Sequence, residues 1–333
     1  MGECGPVIET VAGELLVADA GPVLAAEVLL QAAPPFALNL GLPASEVAFA
    51  REPVTIENLG RLILGAPNRD DRTLTEADAA GALGAYSAAV DTAQASKRVE
   101  TNPQRAQPVV VVLDASTCTE RDTRRKTASL QRLSVASGVA IVRRTVLRVD
   151  ATPAEFKAAA ATAAGQCLAL SAGVDLAEAN AAVDKLQDAG LPGARVMLTG
   201  AHRLIGRRSG AGEGAGMDPD RLDGLLAFAQ DSGLTICFDK LGRIPTVHTV
   251  VSDHDVAVAI LRCAEHGIGD RITLSCGVRA KHQLTAFGGN GLEFITQQFL
   301  PYLGVLGADA ALRAAVGGGN AERLLRRDAG GTT

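Results

Sequence analysis

Short apolar runs recur along this chain, and between them lie longer amphipathic, alanine-rich segments. VVVVLD (109–114), GVAIVRR (138–144), QCLALS (166–171), ARVMLT (194–199), LTICFD (234–239) and RITLSC (271–276) each have the length and near-continuous apolarity of a strand buried on both faces. The intervening segments carry helix start and stop signals. TPAEFKAAAATAA (152–164) opens with Thr152 as N-cap, Pro153 in the first turn and Glu155 as capping-box partner. LAEANAAVDKLQDAGL (176–191) reaches Gly190, a C-cap residue, and PDRLDGLLAFAQDSG (219–233) repeats the plan. Strands alternating with helices restrict the chain to a parallel sheet with helices outside, and this number of units predicts a TIM-type (β/α)8 barrel. VIETVAGELLVADAG predicts a small β-hairpin over residues 1–20, leaving 21–327 for the barrel. No linker divides the chain, so residues 1–333 are expected to form a single domain.

The expected fourth strand is missing. TVLRVD (145–150) is the sole candidate, and it follows GVAIVRR without the crossover helix that a parallel neighbour needs. An irregular or incomplete barrel is therefore predicted here, with a symmetry-related chain as one way to patch it.

Composition narrows the function classes. The chain has 333 residues, 47% hydrophobic and 21% charged, with a net charge of −5 and no basic stripe, so nucleic acid is not an expected partner. No apolar run reaches the ~18 residues of a membrane span. The start, MGECGPVIET, lacks a basic and an apolar leader region, and a cytoplasmic location is expected. Six scattered cysteines form no C-x-x-C pair and read as small hydrophobes. GAGEGAG in the loop 201–216 lacks the Gly-Lys-Ser/Thr ending of a phosphate-binding loop.

Several segments resemble the phosphotriesterase-like branch of the amidohydrolase superfamily, in particular its phosphotriesterase-related members. VIETVAGELLVADAGPVLAAEVLL resembles the family's opening hairpin and first barrel strand. PVTIENLGRL (53–62) and NRDDRTLTEADAAGAL (68–83) resemble its next segment. DRITLSCGVRAKHQLTAFGGNGLEFITQQFLPYL (270–303) and GNAERLL (319–325) are the most specific, with Lys281-His282, Gly288-Gly289 and Pro301 where that branch has them. The resemblance implies a barrel with a two-metal centre at its C-terminal mouth. Its ligands are two histidines on strand one, a carboxylated lysine on strand four, histidines on strands five and six, and an aspartate on strand eight. In this chain those positions fall on Ala26, Val28, Ser171, Ala201 and Gly277, and the strand-four lysine has no counterpart. Such side chains are poor or impossible metal ligands, so no metal and no other cofactor is expected. By strand alternation Ala26 and Val28 should face the barrel interior and Glu27 the helices.

What remains at the predicted strand ends is His202, Asp239, Lys240, Lys281 and His282. His202 and His282 are candidate proton-transfer groups with Asp239 as partner, and Arg203, Lys281, Ser171 and Lys240 are candidate substrate-binding residues. Asp114, Ser116, Thr117 and Cys118 follow strand two, with Arg121, Arg124 and Arg125 beside that thiol. Arg203, Arg207 and Arg208 are suited to closing over a carboxylate or phosphate. Two functions follow: a metal-independent enzyme acting on a small carbonyl-containing molecule by acid–base catalysis, or a non-catalytic relative that binds a small ligand or a partner protein. A homodimer is a candidate assembly.

Overall fold

A computed structural model describes residues 5–32, 43–97, 106–115, 120–163, 166–173, 175–207 and 216–327. Among them, seven parallel strands run in sequence order around a nearly closed barrel: β3 (Ala20–Glu27), β4 (Gln107–Ala115), β5 (Ala140–Arg148), β6 (Leu168–Ser171), β7 (Val196–Thr199), β8 (Thr235–Phe238) and β9 (Ile272–Leu274). The predicted α/β barrel with an N-terminal hairpin is therefore observed. β1 (Val7–Thr10) and β2 (Gly13–Leu16) form that hairpin and, with β10 (Arg326–Arg327), a small antiparallel sheet.

The gap at the fourth strand is real and has a simple geometry. TVLR is the second half of β5, not a strand of its own. β5 pairs with β4 from Ala140 to Val146, and with β6 from Val146 to Arg148. One long strand thus serves two neighbours in succession. The helix over Pro153–Thr162, closed by the Thr152/Glu155 capping box, makes the crossover to β6.

Side-chain alternation divides the interior into two layers. Val109, Val111, Val142, Cys167, Ala169, Met197 and Cys237 fill the barrel lumen, and Ile8, Leu15, Leu324 and Leu325 belong to the same cluster. Val110, Val112, Ile141, Leu170, Leu198 and Ile236 face outward and pack among helix residues such as Leu83, Leu130, Phe156 and Val183. Burying each such aliphatic side chain contributes about 1.5–3 kcal/mol. Cys167, Cys237, Cys263 and Cys276 are buried free thiols, as their small-hydrophobe reading expects, whereas Cys4 and Cys118 lie outside the described residues.

The register of β3 against β4 shifts twice, between Ala20 and Val23 and again between Leu24 and Glu27. Leu24 pairs with Val110 and Glu27 with Val112, so Ala25 and Ala26 together oppose Val111. This bulge turns both alanines into the lumen cluster. Val28, expected to face the lumen, follows the end of the strand and packs in the helix-side cluster instead. Glu27 keeps the outward register, but its carboxylate turns sideways across the barrel seam. It accepts hydrogen bonds from Ser275 Oγ (2.6 Å) and from the backbone N–H groups of Cys276 (2.7 Å), Gly277 (3.0 Å) and Val278 (2.9 Å). Ser275 Oγ in turn accepts from the Ala26 N–H at 2.9 Å. One buried side chain joins the first barrel strand to the segment after the last.

Candidate functional site at the barrel mouth

The C-terminal ends of the strands surround a cavity of about 380 Å³. Ser171, Thr199, Arg203, Asp239, Lys240 and Arg279 line it, with Leu113, Val146, Arg148 and Asp150 on the β4–β5 side. Four predicted residues therefore meet there: Asp239, Lys240, Arg203 and Ser171. Arg148 and Asp150 form a two-pronged ion pair (2.8 and 2.7 Å), which neutralises that edge. The Lys240 ammonium has no hydrogen bond or ion pair among the described residues.

Asp239 follows the end of β8 and is buried. Gly200, at φ +78°, turns the chain after β7 so that its N–H donates to Asp239 Oδ1 at 2.9 Å. Burial pushes the Asp239 carboxyl upward, opposed mainly by the positive charges of Arg279 and Lys240. Lys240 is pulled the other way. Burial and the neighbouring charges of Arg203, Arg243 and Arg279, against the attraction of Asp239, lower its ammonium to about 8. Two adjacent residues thus carry acidities displaced toward neutrality.

The histidines are placed differently. His202 Nδ1 stands 3.6 Å from Asp239 Oδ1, beyond hydrogen-bond reach, and neither ring nitrogen has a partner among the described residues. Burial, with the charges of Lys240, Arg203 and Arg243, lowers it to about 3, so it is held neutral. His202 faces a second, larger groove of about 810 Å³ lined by Phe238, Leu241, Val250, Val251, Val256 and His254. Arg203 and Lys240 border both volumes and form the wall between them. His282 does not line the cavity that holds Asp239. Its Nδ1 lies 2.9 and 3.0 Å from the two oxygens of Asp71, and it borders a separate pocket of about 190 Å³ with Arg243 and His248. Lys281 is buried, bonded to Asp70 at 2.7 Å, and fastens the segment after β9 to the 68–78 region. His282 and Lys281 follow the last strand in sequence, but the chain turns back there to meet Asp70 and Asp71.

Arg279, Arg148 and Arg243 were not singled out by sequence. Arg279 stands two residues before Lys281 and was legible by the same strand-end rule. Arg148 was hidden because TVLRVD has no helix before it. Asp114, also at a strand end, is taken up by Lys126 and Arg143 outside the lumen. Ser116, Thr117, Cys118 and Arg208 lie outside the described residues.

Among the described residues, no three His, Cys, Asp or Glu side chains converge as a metal-binding group. Ala26 and Ala201 are buried in apolar clusters. Gly277 has φ +57°, and a Cβ there would stand 2.0 Å from the Asp239 carbonyl oxygen. A carboxylate cannot be placed at that position without moving the backbone. A two-metal centre does not fit this donor set.

No protein-family model and no curated protein matches the chain. Solved structures do. A resiniferatoxin-binding protein from Rhodobacter sphaeroides is 21% identical with a TM-score of 0.75, over 97% of this chain and 96% of that one. A protein engineered for organophosphate hydrolysis from a weak promiscuous lactonase template is 16% identical with a TM-score of 0.62, over 96% and 99%. An amidohydrolase from Mycoplasma synoviae is 14% identical with a TM-score of 0.59, over 97% and 93%. The likeness is one of fold. The chain has the barrel of these lactonase and amidohydrolase structures with seven described strands in its sheet. No helix among the described residues is long and apolar enough to cross a membrane.

Proposed function

We propose that this protein is a metal-independent enzyme that moves a proton next to the carbonyl group of a small anionic molecule bound at the barrel mouth. The carrying observation is the adjacent pair Asp239 and Lys240 on the wall of the 380 Å³ cavity, both with acidities displaced toward neutrality. Asp239, made a stronger base by burial, takes the proton from the carbon beside the carbonyl. Its Oδ1 is fixed by Gly200, and Oδ2 carries no hydrogen bond among the described residues. Lys240 donates to the enolate oxygen that develops, a role suited to an acid near pH 8. Arg203 and Arg279 hold the substrate's carboxylate or phosphate, and the Ser171 and Thr199 hydroxyls orient it. Proton transfer therefore falls to Asp239 and Lys240 rather than to His202 or His282, because His202 is held neutral without partners and His282 is tied to Asp71. Metal independence is supported by the donor set: Ala26, Val28, Ser171, Ala201 and Gly277 replace ligands, and the mouth carries cations instead.

The test is hydrogen–deuterium exchange at carbon. Small 2-oxo acids, 3-oxo acids and phosphorylated ketones are incubated with the protein in deuterated buffer and followed by proton NMR. Exchange insensitive to EDTA and reduced at least a hundredfold by Asp239→Asn is expected. Exchange that requires added zinc, or that survives Asp239→Asn, overturns the assignment.

A second reading, a non-catalytic ligand-binding protein, is favoured by the 810 Å³ groove with its apolar lining and by the fold shared with a resiniferatoxin-binding protein. Absence of exchange for every compound, with an apolar molecule extracted from the purified protein and identified by mass spectrometry, would select it.

A further inference from the structure

The missing strand leaves more than an irregular ladder. Among the described residues, β5 along its first half has β4 on one side and no paired strand on the other, where the Val11 N–H of the hairpin donates to the Ile141 carbonyl at 2.8 Å and the β5–β6 ladder begins at Val146 and Ala169. A cavity of about 230 Å³ occupies that side of the wall, bounded by Arg143, Arg144 and Thr145 of β5, by Cys167, and by Ala159 and Ala163 of the crossover helix. It is separate from the mouth cavity in every lining residue.

Arg144 is 6% exposed, and its guanidinium is only partly satisfied. Nη1 donates to the Arg143 carbonyl at 2.7 Å, which fixes the plane of the group. Nε and Nη2 are buried and have no partner among the described residues. These two nitrogens lie on the same edge of a guanidinium and donate in parallel, the arrangement that grips two oxygens of one carboxylate or phosphate. A buried, unpaired cation is strongly unfavourable, so such a fork calls for a counter-charge. The neighbouring groups do not supply it: the Cys167 thiol lies against the Arg144 guanidinium, but burial pushes that thiol up and it brings no charge. Asp114, the one acid lining the cavity among the described residues, is shared by Arg143 and Lys126, two cations on one carboxylate. Glu9, the acid reached by Gln166 at the cavity's edge, is bonded to Gln166 (2.8 Å) and Arg327 (2.7 Å). The balance of charge around the slot is positive.

We propose that this slot is a binding site for a small oxyanion, a carboxylate or a phosphate, held by Nε and Nη2 of Arg144. The anion closes the barrel wall where a strand is absent, supplying by charge and hydrogen bonds what a strand would supply by its backbone.

Thermal unfolding of the full chain tests this, with inorganic phosphate and acetate titrated separately at constant ionic strength set by sodium chloride. At least one of the two should raise the midpoint by a few degrees along a saturating curve. In the Arg279→Gln background, where the mouth's own grip on anions is weakened, Arg144→Met should abolish the rise, and without anion it should melt no lower than its parent, because an unpaired buried charge has been removed. Arg279→Gln, at the mouth, should keep the rise. Ala163→Leu, which fills the slot and leaves the arginine in place, gives an independent reading and should also lose it. Phosphate selects a tetrahedral ligand and acetate a planar one, and either supports the site. No saturable rise with either anion, a rise that is lost in Arg279→Gln alone, or one that persists unchanged when Arg144→Met is added to Arg279→Gln, overturns it.

Discussion

Replacing Glu27 by Gln is the sharpest probe of how this barrel closes. The carboxylate is fully buried and faces donors: Oε1 accepts from Ser275 Oγ, Cys276 N and Gly277 N, and Oε2 accepts from Val278 N. Burial pushes its pKa above the usual carboxylate range, and the hydrogen bonds pull it back. A carboxyl proton on Oε1 would meet three donors, so the hydrogen bonds favour the ionised form while burial opposes it. A glutamine can keep its carbonyl oxygen in the three-donor position, but its NH2 then meets the Val278 N–H. That leaves one buried N–H unpaired, about 1–3 kcal/mol, and weakens the other bonds by removing the charge. The expected loss is about 2–4 kcal/mol. Glu27→Ala leaves three backbone N–H groups unpaired, roughly 3–9 kcal/mol, which approaches the ~5–15 kcal/mol stability of a whole domain. It should not accumulate as folded protein. Urea unfolding followed by circular dichroism measures both. A Glu27→Gln midpoint that implies less than about 0.5 kcal/mol of loss would refute the seam argument.

Three other outcomes follow from the structure. Gly277→Asp should lower stability, by about 1–2 kcal/mol from the left-handed backbone and further from the Cβ placed 2.0 Å from the Asp239 carbonyl oxygen. It should retain no stoichiometric zinc after dialysis, and a folded variant with one zinc per chain would show that the position had been misassigned. Lys240 should lose its charge near pH 8, well below an ordinary lysine. Between that value and its unfolded value the unfolded chain binds more protons, so stability contributed by this group rises with pH across the window, and the burial penalty is complete below pH 8. Lys240→Met should therefore be more stable than wild type at pH 7 and lose that advantage toward pH 10; a constant difference would contradict the assignment. Lys281→Met removes the partner of Asp70 and should cost about 1–3 kcal/mol in urea unfolding. Its exchange rate should stay within about twofold of wild type; a tenfold fall would return Lys281 to the active cavity.

The strands, most helices and the missing fourth strand were legible in the sequence because they rest on local signals. Apolar runs of fixed length, the Thr152 capping box and the lack of a crossover segment after GVAIVRR act over a few residues, and backbone sterics enforce them wherever the chain goes. The strand-end rule also singled out Ser171, Arg203, Asp239 and Lys240, which line one cavity. Other features needed tertiary structure. The β3 bulge, which sends Ala25 and Ala26 into the lumen together, is fixed by pairing with β4 some 85 residues away (Glu27 to Val112). Lys281 and His282 satisfy the same positional rule as Lys240, yet their charges are drawn to Asp70 and Asp71, more than 200 residues earlier. Glu27 reads in the sequence only as a helix-facing residue of the first strand, and its partners at 275–278 are some 250 residues distant. Sequence spacing determines which face a residue occupies within its own strand or helix. Which distant charge or N–H group it meets is decided only when the barrel closes, because that closure brings the first strand beside the last.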